Sequence, residues 1–259
     1  MGINFKGKFS VLIAVYKNDD PKLFKQALKS IFDNVLAPSK VILVVDGPLT
    51  KELDQEIKFY STSYNNFLVK RLQSNVGLAA ALNEGLKLVK TEWVARADSD
   101  DFNHPLRFKK QAEFLHYYDD NLDLFGSGII EVDNYGNKLM KRLLPSCADD
   151  IIKFTRRRNP FNHNTVIYRT QFVISVGGYP SIYLKEDYAL WASMIAANAR
   201  IANSPEVLVD ANVKNMIQIR RGGLRYAFSE IALQRHLYRC KIKNLPATVF
   251  DGTSRAMIF

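Results

Sequence analysis

Apolar and polar positions follow two alternating patterns along the first hundred residues. Continuous apolar runs of strand length are separated by segments in which apolar residues recur at helical spacing. We predict strands at Phe9–Tyr16, Val41–Val45, Phe67–Leu72 and Trp93–Ala97, and helices at Pro21–Asn34, Lys51–Tyr60 and Leu78–Val89. Strands that alternate with helices are joined by right-handed crossovers, so this region is predicted to form a parallel sheet.

The second half of the chain has a less regular pattern, with strands and helices of unequal length. We predict strands at Leu122–Val132, Lys138–Leu143, Thr165–Tyr168 and Ile201–Val209. We predict helices at Pro105–Tyr118, Asp149–Arg158, Glu186–Asn198 and Leu224–Tyr238. The whole pattern indicates an α/β fold that ends in a helical extension.

Composition narrows the class of protein. A chain of 259 residues with 47% hydrophobic content is long enough for one large folded domain with a small appendage. No apolar run approaches the roughly 18 residues of a membrane span. Cys147 and Cys240 lie far apart, which indicates a reducing, cytosolic compartment. The net charge of +10 favours anionic partners such as nucleotides, nucleic acids or lipid headgroups.

Three carboxylates follow the predicted strand Trp93–Ala97 within four residues: Asp98, Asp100 and Asp101. Adjacent acids repel one another unless a cation lies among them, and Mg²⁺ and Mn²⁺ prefer carboxylate oxygens. In an extended segment, Asp98 and Asp100 would project to the same side. We therefore predict a metal–diphosphate site here; an acidic solvated turn is the alternative.

Polar residues also follow the first two strands, at Tyr16 and at Asp46-Gly47. Ligands of parallel α/β sheets bind outside the carboxyl ends of the strands. These residues and the acidic stretch are therefore predicted to meet at one edge of the sheet.

The ordered motifs of the chain resemble those of inverting family 2 glycosyltransferases with the GT-A fold. The matching segments are 10–17, Val44-Val45-Asp46-Gly47, 75–85, 95–101, His163-Asn164-Thr165-Val166, Gly177-Gly178-Tyr179 and 186–191. The resemblance covers residues 9–225 and implies a Rossmann-like mixed, mainly parallel sheet flanked by helices. Within the family, the chain is similar to bacterial β1,3-hexosyltransferases of O-antigen and exopolysaccharide synthesis.

The resemblance implies that the uridine nucleotide lies at the ends of the first strands. Backbone around Val15 and Tyr16 would hold the uracil, and Asp46 would accept a hydrogen bond from its N3–H. Asn75 and Gly77 would approach the nucleotide. The residues themselves leave two alternatives, a turn at Asp46 and a helix start at Asn75–Gly77.

The resemblance also implies a divalent cation, Mn²⁺ or Mg²⁺. Asp100 would ligate it, Asp98 would contact the ribose or a metal-bound water, and His163 would contact the metal or the diphosphate. Arg96 would contact the donor or brace the acidic loop. A structural role is the alternative for His163.

Asp187 is the implied general base, which takes the proton of the acceptor hydroxyl as that oxygen attacks the anomeric carbon. Glu186 is the alternative base or a supporting group. A single displacement inverts the anomer, so an α-linked donor gives a β-linkage. Acidic side chains also favour helix N-termini, so a capping role for both residues is the alternative.

Further residues are implied in acceptor and diphosphate binding. Gly178, Tyr179 and Trp191 would form the acceptor site, with core packing as the alternative for Trp191. Arg220 and Arg221 lie beside two glycines and would close on the diphosphate; a solvated basic turn is the alternative.

The implied reaction moves galactose or glucose from a UDP-hexose to a lipid-linked sugar, GlcNAc-diphospho-undecaprenol. The enzyme would be cytoplasmic and peripheral on the inner face of the cell membrane, with no nucleic-acid partner. We predict a catalytic domain at 1–219, with a nucleotide-binding half at about 1–101 and an acceptor-binding half at 102–219, and a basic extension at 220–259.

The extension is predicted to meet an anionic membrane. Seven basic residues and one acid, Glu230, lie between Arg220 and Lys243. Its predicted helix carries an apolar stripe: Leu224, Phe228, Ile231 and Leu237. A helix packed on the core is the alternative.

Two other functions share some of these features. A sugar-phosphate nucleotidyltransferase also combines an α/β sheet with acidic metal ligands, but releases pyrophosphate. A basic nucleic-acid-binding protein would fit the charge, although the sequence has no recognisable motif for it.

Overall fold

The computed structural model describes residues 8–133, 135–213 and 223–257. The strands are β1 (Phe9–Val15), β2 (Lys40–Val45), β3 (Phe67–Arg71), β4 (Trp93–Arg96), β5 (Phe102–Asn103), β6 (Leu124–Val132), β7 (Lys138–Arg142), β8 (Ile167–Arg169) and β9 (Ile201–Asn212). The helices are α1 (Pro21–Phe32), α2 (Lys51–Ser63), α3 (Leu78–Leu86), α4 (Arg107–Tyr117), α5 (Ala148–Thr155), α6 (Thr170–Ser175), α7 (Glu186–Ala196), α8 (Leu224–Arg239) and α9 (Leu245–Met257). A 3₁₀ turn spans His163–Thr165.

The strands form one mixed sheet in the order β3-β2-β1-β4-β8-β6-β9-β5, with β7 paired to β6. The strands β1 to β4 pair only in parallel with one another. Antiparallel β8 then joins β4 to β6, and β9 runs parallel to β6. The predicted parallel region is therefore confirmed, and the second half of the chain completes the sheet with mixed pairings.

The sheet separates two apolar layers, which explains why its inner strands carry apolar residues at consecutive positions. Along β1, Val11, Ile13 and Val15 face the layer that contains α1, α2 and α4. Leu12 and Ala14 face the other layer, which contains α3, α7 and α8. Complete burial of a Leu or Ile side chain stabilises a fold by about 1.5–3 kcal/mol, so this strand anchors both layers.

Local signals begin the first two helices. The Asp20 side chain accepts hydrogen bonds from the backbone N–H groups of Lys22 and Leu23, and Pro21 occupies the first turn of α1. The Thr50 hydroxyl accepts from the Leu53 N–H at the start of α2. Both helices start where the sequence predicts.

Four elements lie where the sequence analysis assigns none. They are β5, the short helix α6, the turn His163–Thr165 and the terminal helix α9. The first three are too short to display a periodicity. In α9, Pro246 stands in the first turn, where proline is compatible with a helix.

The predicted C-terminal extension packs on the preceding part of the chain through one face of α8. Its Leu233 and Leu237 are fully buried in the same layer as α7. Lys185 pairs with Glu230 at 2.5 Å, and Ser193 lies 2.9 Å from the His236 ring. The prediction that Leu237 belongs to a membrane-facing apolar stripe is therefore wrong. Leu224 and Phe228 of the same predicted stripe are exposed. The predicted boundary at residue 220 lies outside the described residues.

Candidate active site

The acidic loop begins where β4 ends. Asp98 follows β4 after Ala97, and Ser99 and Asp100 form a turn, so the segment from Asp98 to Asp100 is not extended as predicted from the sequence. Asp98 and Asp100 are half-buried, and Asp98 accepts a 2.5 Å hydrogen bond from Arg96 Nη2. The loop thus presents two carboxylates at the carboxyl end of a central strand.

Arg96 supports this loop from below. Its side chain is 1% exposed, and Nη1 donates to the Leu12 carbonyl at 3.0 Å. Since the guanidinium is directed at Leu12 and Asp98, the bracing alternative is supported. A direct donor contact by Arg96 is not supported, because its side chain is buried.

Asp101 is the buried member of the acidic loop. Its carboxylate accepts from the Asn212 N–H at 2.8 Å and from the Asn164 side-chain amide. Burial and the charges of Asp98 and Asp100 raise the pKa of Asp101 well above its usual value. Asp101 therefore ties the acidic loop to the end of β9 and to the turn His163–Thr165.

Arg107, which the sequence analysis missed, lies fully buried beneath the same loop. It donates to the Arg96 carbonyl at 2.7 Å and to Gln111 Oε1 at 3.1 Å. Gln111 in turn donates to the Thr165 carbonyl at 2.7 Å. Burial lowers the pKa of Arg107 to about 9, while the charges of Asp101 and Asp98 oppose that shift. No local pattern marks the contact of Gln111 with Thr165, because 54 positions separate the two residues.

The predicted nucleotide residues meet at the ends of β1 and β2. Asp46 Oδ1 accepts from the Val76 N–H at 2.7 Å, and Oδ2 accepts from Asn75 Nδ2 and the Gly77 N–H, each at 3.0 Å. The turn is tight, because a Cβ on Gly47 would lie 2.7 Å from the Asn75 nitrogen. Asp46 is thus mainly the residue that orders segment 75–77, which supports the structural alternative for Asp46 and the helix start at Gly77.

The segment after β1 is tied to the acidic loop. Val15 is buried and Tyr16 is half-buried. Asp19 Oδ2 accepts from the Tyr16 N–H at 3.1 Å and from the Ser99 hydroxyl at 2.9 Å. Asp19 therefore holds the predicted uracil-binding backbone beside the acidic loop.

Glu186 and Asp187 occupy the first turn of α7. Asp187 is half-buried and accepts from Asn159 Nδ2 at 2.6 Å and from the Tyr188 N–H at 2.7 Å. Glu186 is 8% exposed, and burial together with the Asp187 charge raises its pKa to about 7. Asp98 also raises the pKa of Glu186, so the acidic loop and this pair share one electrostatic environment. The more accessible Asp187 is better placed to meet an acceptor.

His163 lies beside the aromatic core. Its ring centroid is 5.8 Å from that of Tyr179 and 6.2 Å from that of Trp191. Although the residue as a whole is half-buried, Nε2 is buried without a hydrogen-bond partner among the described residues. Burial and the Arg96 charge lower the pKa of His163 to about 3, so the imidazole is neutral. Because the ring packs against the aromatic side chains of Tyr179 and Trp191, the structural alternative is supported over a metal contact.

The predicted acceptor residues are buried as well. Trp191 is fully buried and Tyr179 is 2% exposed, so neither ring offers a free face to a sugar. The Tyr179 N–H donates to Asn83 Oδ1 at 2.8 Å, and Asn83 Nδ2 donates to the Tyr179 carbonyl at 2.9 Å. A Cβ on Gly178 would also meet Asn83 Oδ1 at 2.5 Å. These residues pack the second half of the chain against α3. Arg220 and Arg221 lie outside the described residues.

A divalent cation fits the acidic loop through two carboxylates. The described residues contain no group of three His, Cys, Asp or Glu side chains that could hold a metal. Mg²⁺ typically takes only one or two protein carboxylates and completes its shell with substrate phosphates and water. Asp98 and Asp100 supply that number, so the donor set fits without His163.

A mixed α/β sheet with carboxylates after a central strand and a second acidic pair at the start of α7 defines the class of GT-A nucleotide-sugar transferases. Residues 10–179 match the family described as Glycosyl transferase family 2, and the chain belongs to that family. Enzymes of this family generally use a divalent metal. The predicted family, fold and enzyme class are confirmed, and this result favours neither a nucleotidyltransferase nor a nucleic-acid-binding protein.

Two curated relatives and one solved structure illustrate the likeness. The chain is 40% identical over 233 residues to a UDP-Gal:alpha-D-GlcNAc-diphosphoundecaprenol beta-1,3-galactosyltransferase of Escherichia coli, covering 90% of this chain and 84% of that protein. It is 36% identical over 248 residues to the amylovoran biosynthesis glycosyltransferase AmsE of Erwinia amylovora, covering 95% and 90%. Residues 1–349 of S. aureus TarS in complex with UDP-GlcNAc superimpose with a TM-score of 0.73 at 19% identity, covering 97% of this chain and 73% of that chain.

None of the helices in the described residues combines the length and the apolar content needed to cross a bilayer.

Proposed function

We propose that this protein is an inverting hexosyltransferase that moves galactose from UDP-galactose to GlcNAc-diphospho-undecaprenol, with glucose as the alternative hexose. The observation that carries the proposal is the pair of half-buried carboxylates, Asp98 and Asp100, after the central strand β4, in a chain 40% identical to a galactosyltransferase of that specificity. The product belongs to the synthesis of O-antigen or exopolysaccharide repeat units, as the relatedness to AmsE also suggests.

The acidic loop is the proposed diphosphate end of the site. Asp98 and Asp100 would hold a divalent cation, Mn²⁺ or Mg²⁺. When bound, that cation neutralises charge on the departing UDP. Arg96 fixes the Asp98 carboxylate at 2.5 Å, and Asp101 holds the loop from within the core. The nucleoside would lie over the segments at Tyr16 and 75–77, which Asp19 and Asp46 order through hydrogen bonds.

Asp187 is the proposed general base. Asn159 Nδ2 donates to Oδ2 and the Tyr188 N–H donates to Oδ1, which fixes the orientation of the carboxylate. It would take the proton of the acceptor hydroxyl while that oxygen forms a bond to the anomeric carbon and the bond from that carbon to UDP breaks. Glu186 is the buried neighbour of Asp187 in the first turn of α7 and is the proposed supporting group. One displacement inverts an α-linked donor to a β-linked product.

The acceptor carries a polyprenyl chain, so we place the enzyme at the cytoplasmic face of the inner membrane as a peripheral protein. The charge of the C-terminal extension supports this location, since basic residues favour anionic membrane surfaces. Arg220 and Arg221 remain proposed diphosphate contacts.

A donor screen tests the proposed function. The purified protein is incubated with Mn²⁺, a short-chain GlcNAc-diphosphate-lipid and each of several nucleotide sugars, and the product mass and released UDP are measured. We expect one added hexose with UDP-galactose and one UDP released per transfer. Release of pyrophosphate from an NTP and a sugar phosphate would instead identify a nucleotidyltransferase.

A further inference from the structure

A basic groove lies away from the acidic loop, between the end of α5 and the two C-terminal helices. Its volume is about 1040 Å³. It is lined by Arg156, Arg157, Tyr238, Arg239, Lys241, Ile242, Lys243, Asn244, Ala247, Phe250 and Asp251. Two regions distant in sequence thus contribute cations to one surface, which the sequence analysis did not foresee.

The charges of the groove are unevenly distributed. Its floor contains the buried Lys243, which pairs with Asp251 and donates to Gln234 Oε1 at 2.6 Å. Lys243 thus neutralises Asp251, the one acid among the lining residues. Arg156, Arg239 and Lys241 are exposed, and each lacks a carboxylate partner among the described residues. The rim of the groove is therefore a cluster of hydrated cations suited to an anion.

Apolar side chains flank these cations. Phe250 and Tyr238 line the groove and are 71% and 45% exposed. Leu245 and Val249, one helical turn apart on α9, are also more than half exposed. Exposed apolar side chains beside basic residues are typical of helices that lie in the interface of a membrane.

We propose that this groove binds the phosphate headgroups of anionic membrane lipids, with Arg156, Arg239 and Lys241 at the headgroups and the exposed face of α9 at the acyl boundary. The inference rests on the proposed membrane location and identifies the surface through which it occurs. This surface differs from the membrane-binding stripe predicted from the sequence. Leu237 is buried and Lys243 pairs with Asp251, so neither can contact lipid, whereas Arg156 and Phe250 belong to the groove but not to the predicted stripe. Charge complementarity selects an anionic lipid surface over a neutral one.

The test measures binding of the full chain to vesicles of phosphatidylglycerol and phosphatidylcholine in about equal parts, and to vesicles of phosphatidylcholine alone. Combined Arg156→Gln, Arg239→Gln and Lys241→Gln should weaken binding to the anionic vesicles on the order of 100-fold at low salt, since each basic residue near such a surface contributes about fivefold. Binding of the unmodified protein should also fall as the ionic strength rises from about 0.01 M to about 1 M. Phe250→Ala should weaken binding at every salt concentration.

A matched variant removes three exposed lysines that do not line the groove: Lys8→Gln, Lys58→Gln and Lys90→Gln. It should retain most of the binding. Equal binding by the groove variant and the unmodified protein would overturn the proposal, as would an equal loss in the matched variant. If the triple variant melts early, Arg156→Gln and Arg239→Gln are compared singly, each expected to lose about fivefold.

Turnover on a short-chain acceptor is measured in parallel, and the groove variant should keep it. Absence of transfer by the unmodified protein would contradict the proposed function while leaving the vesicle result intact. Normal transfer with groove-independent vesicle binding would contradict only the lipid site.

Discussion

The two halves of the sheet hold their site residues in different ways. In the nucleotide-binding half, β1 to β4 pair in parallel along apolar strands, and Asp46 and Asp19 order neighbouring loops largely through backbone N–H groups. In the acceptor-binding half, side chains make the decisive links. Asn164 reaches Asp101 across 63 positions, and Asn159 reaches Asp187 across 28.

This difference separates the contributions of the two halves. The predicted nucleotide-binding half offers the paired strands β1 and β4, after which the acidic loop begins. The acceptor-binding half is positioned beside these strands by buried polar contacts of Asp101 and Arg107. Changes at Asp98 and Asp100 should therefore affect donor and metal binding, whereas changes at Asp187 should affect the proton transfer alone.

Asp100→Ala should have the largest effect, loss of measurable transfer with the fold retained. The substitution removes a proposed metal ligand and also relieves repulsion among the adjacent acids. Turnover with Mn²⁺ and a thermal melt measure the two effects, and Asp149→Ala, at an exposed acid of α5, is the control. Near-normal turnover in Asp100→Ala would remove Asp100 from the metal site.

Asp187→Asn should lower turnover by ~10²-fold or more and leave UDP binding intact, because the amide keeps the shape and removes the base. Calorimetric titration with UDP and Mn²⁺ separates binding from chemistry. Glu186→Gln is the matched variant and should retain more activity. An inactive Glu186→Gln beside an active Asp187→Asn would transfer the role of base to Glu186.

Asp101→Ala should destabilise the fold by about 2 kcal/mol, because the buried Asn212 N–H and Asn164 amide lose their acceptor. Asp101→Asn keeps one acceptor oxygen and should cost less. Chemical denaturation at equilibrium measures both variants. If neither loses stability, the two halves are not joined through Asp101.

Glu186→Gln should change the dependence of stability on pH. Because the folded state raises the pKa of Glu186 to about 7, the ionised carboxylate carries a penalty that is complete above that value. The penalty fades as the pH falls and is absent below the ordinary pKa of glutamate, so it destabilises the unmodified protein at higher pH. The free energy of unfolding of Glu186→Gln, relative to that of the unmodified protein, should therefore be higher at about pH 8 than at about pH 5, by on the order of 2 kcal/mol. If melts at both pH values show the same difference in stability between the two proteins, the raised pKa of Glu186 is contradicted.

Local sequence patterns were sufficient to predict the strands and helices of the predicted nucleotide-binding half. The apolar runs, Pro21 and the turn at Asp46-Gly47 are short-range signals, and the strands and helices they predict are present. The acidic loop was found for the same reason, although its turn at Ser99 and Asp100 was not.

The sequence did not show which of the candidate site residues are buried in the folded protein. His163 and Trp191 carry side chains that suit a ligand or a sugar, yet packing around Tyr179 places both against the aromatic core. Arg107 and Asn159 act on residues that become neighbours only when the sheet is complete. Their partners depend on tertiary contacts, which periodicity does not encode.

The anomeric configuration of the product tests most directly the claim that the two halves form one site for a single displacement. The product from UDP-α-galactose and a short-chain GlcNAc-diphosphate-lipid is purified, and NMR of the new linkage assigns its anomer. The account predicts a β-linked galactose. An α-linked product would contradict it, because retention requires a second displacement or attack from the face of the leaving group.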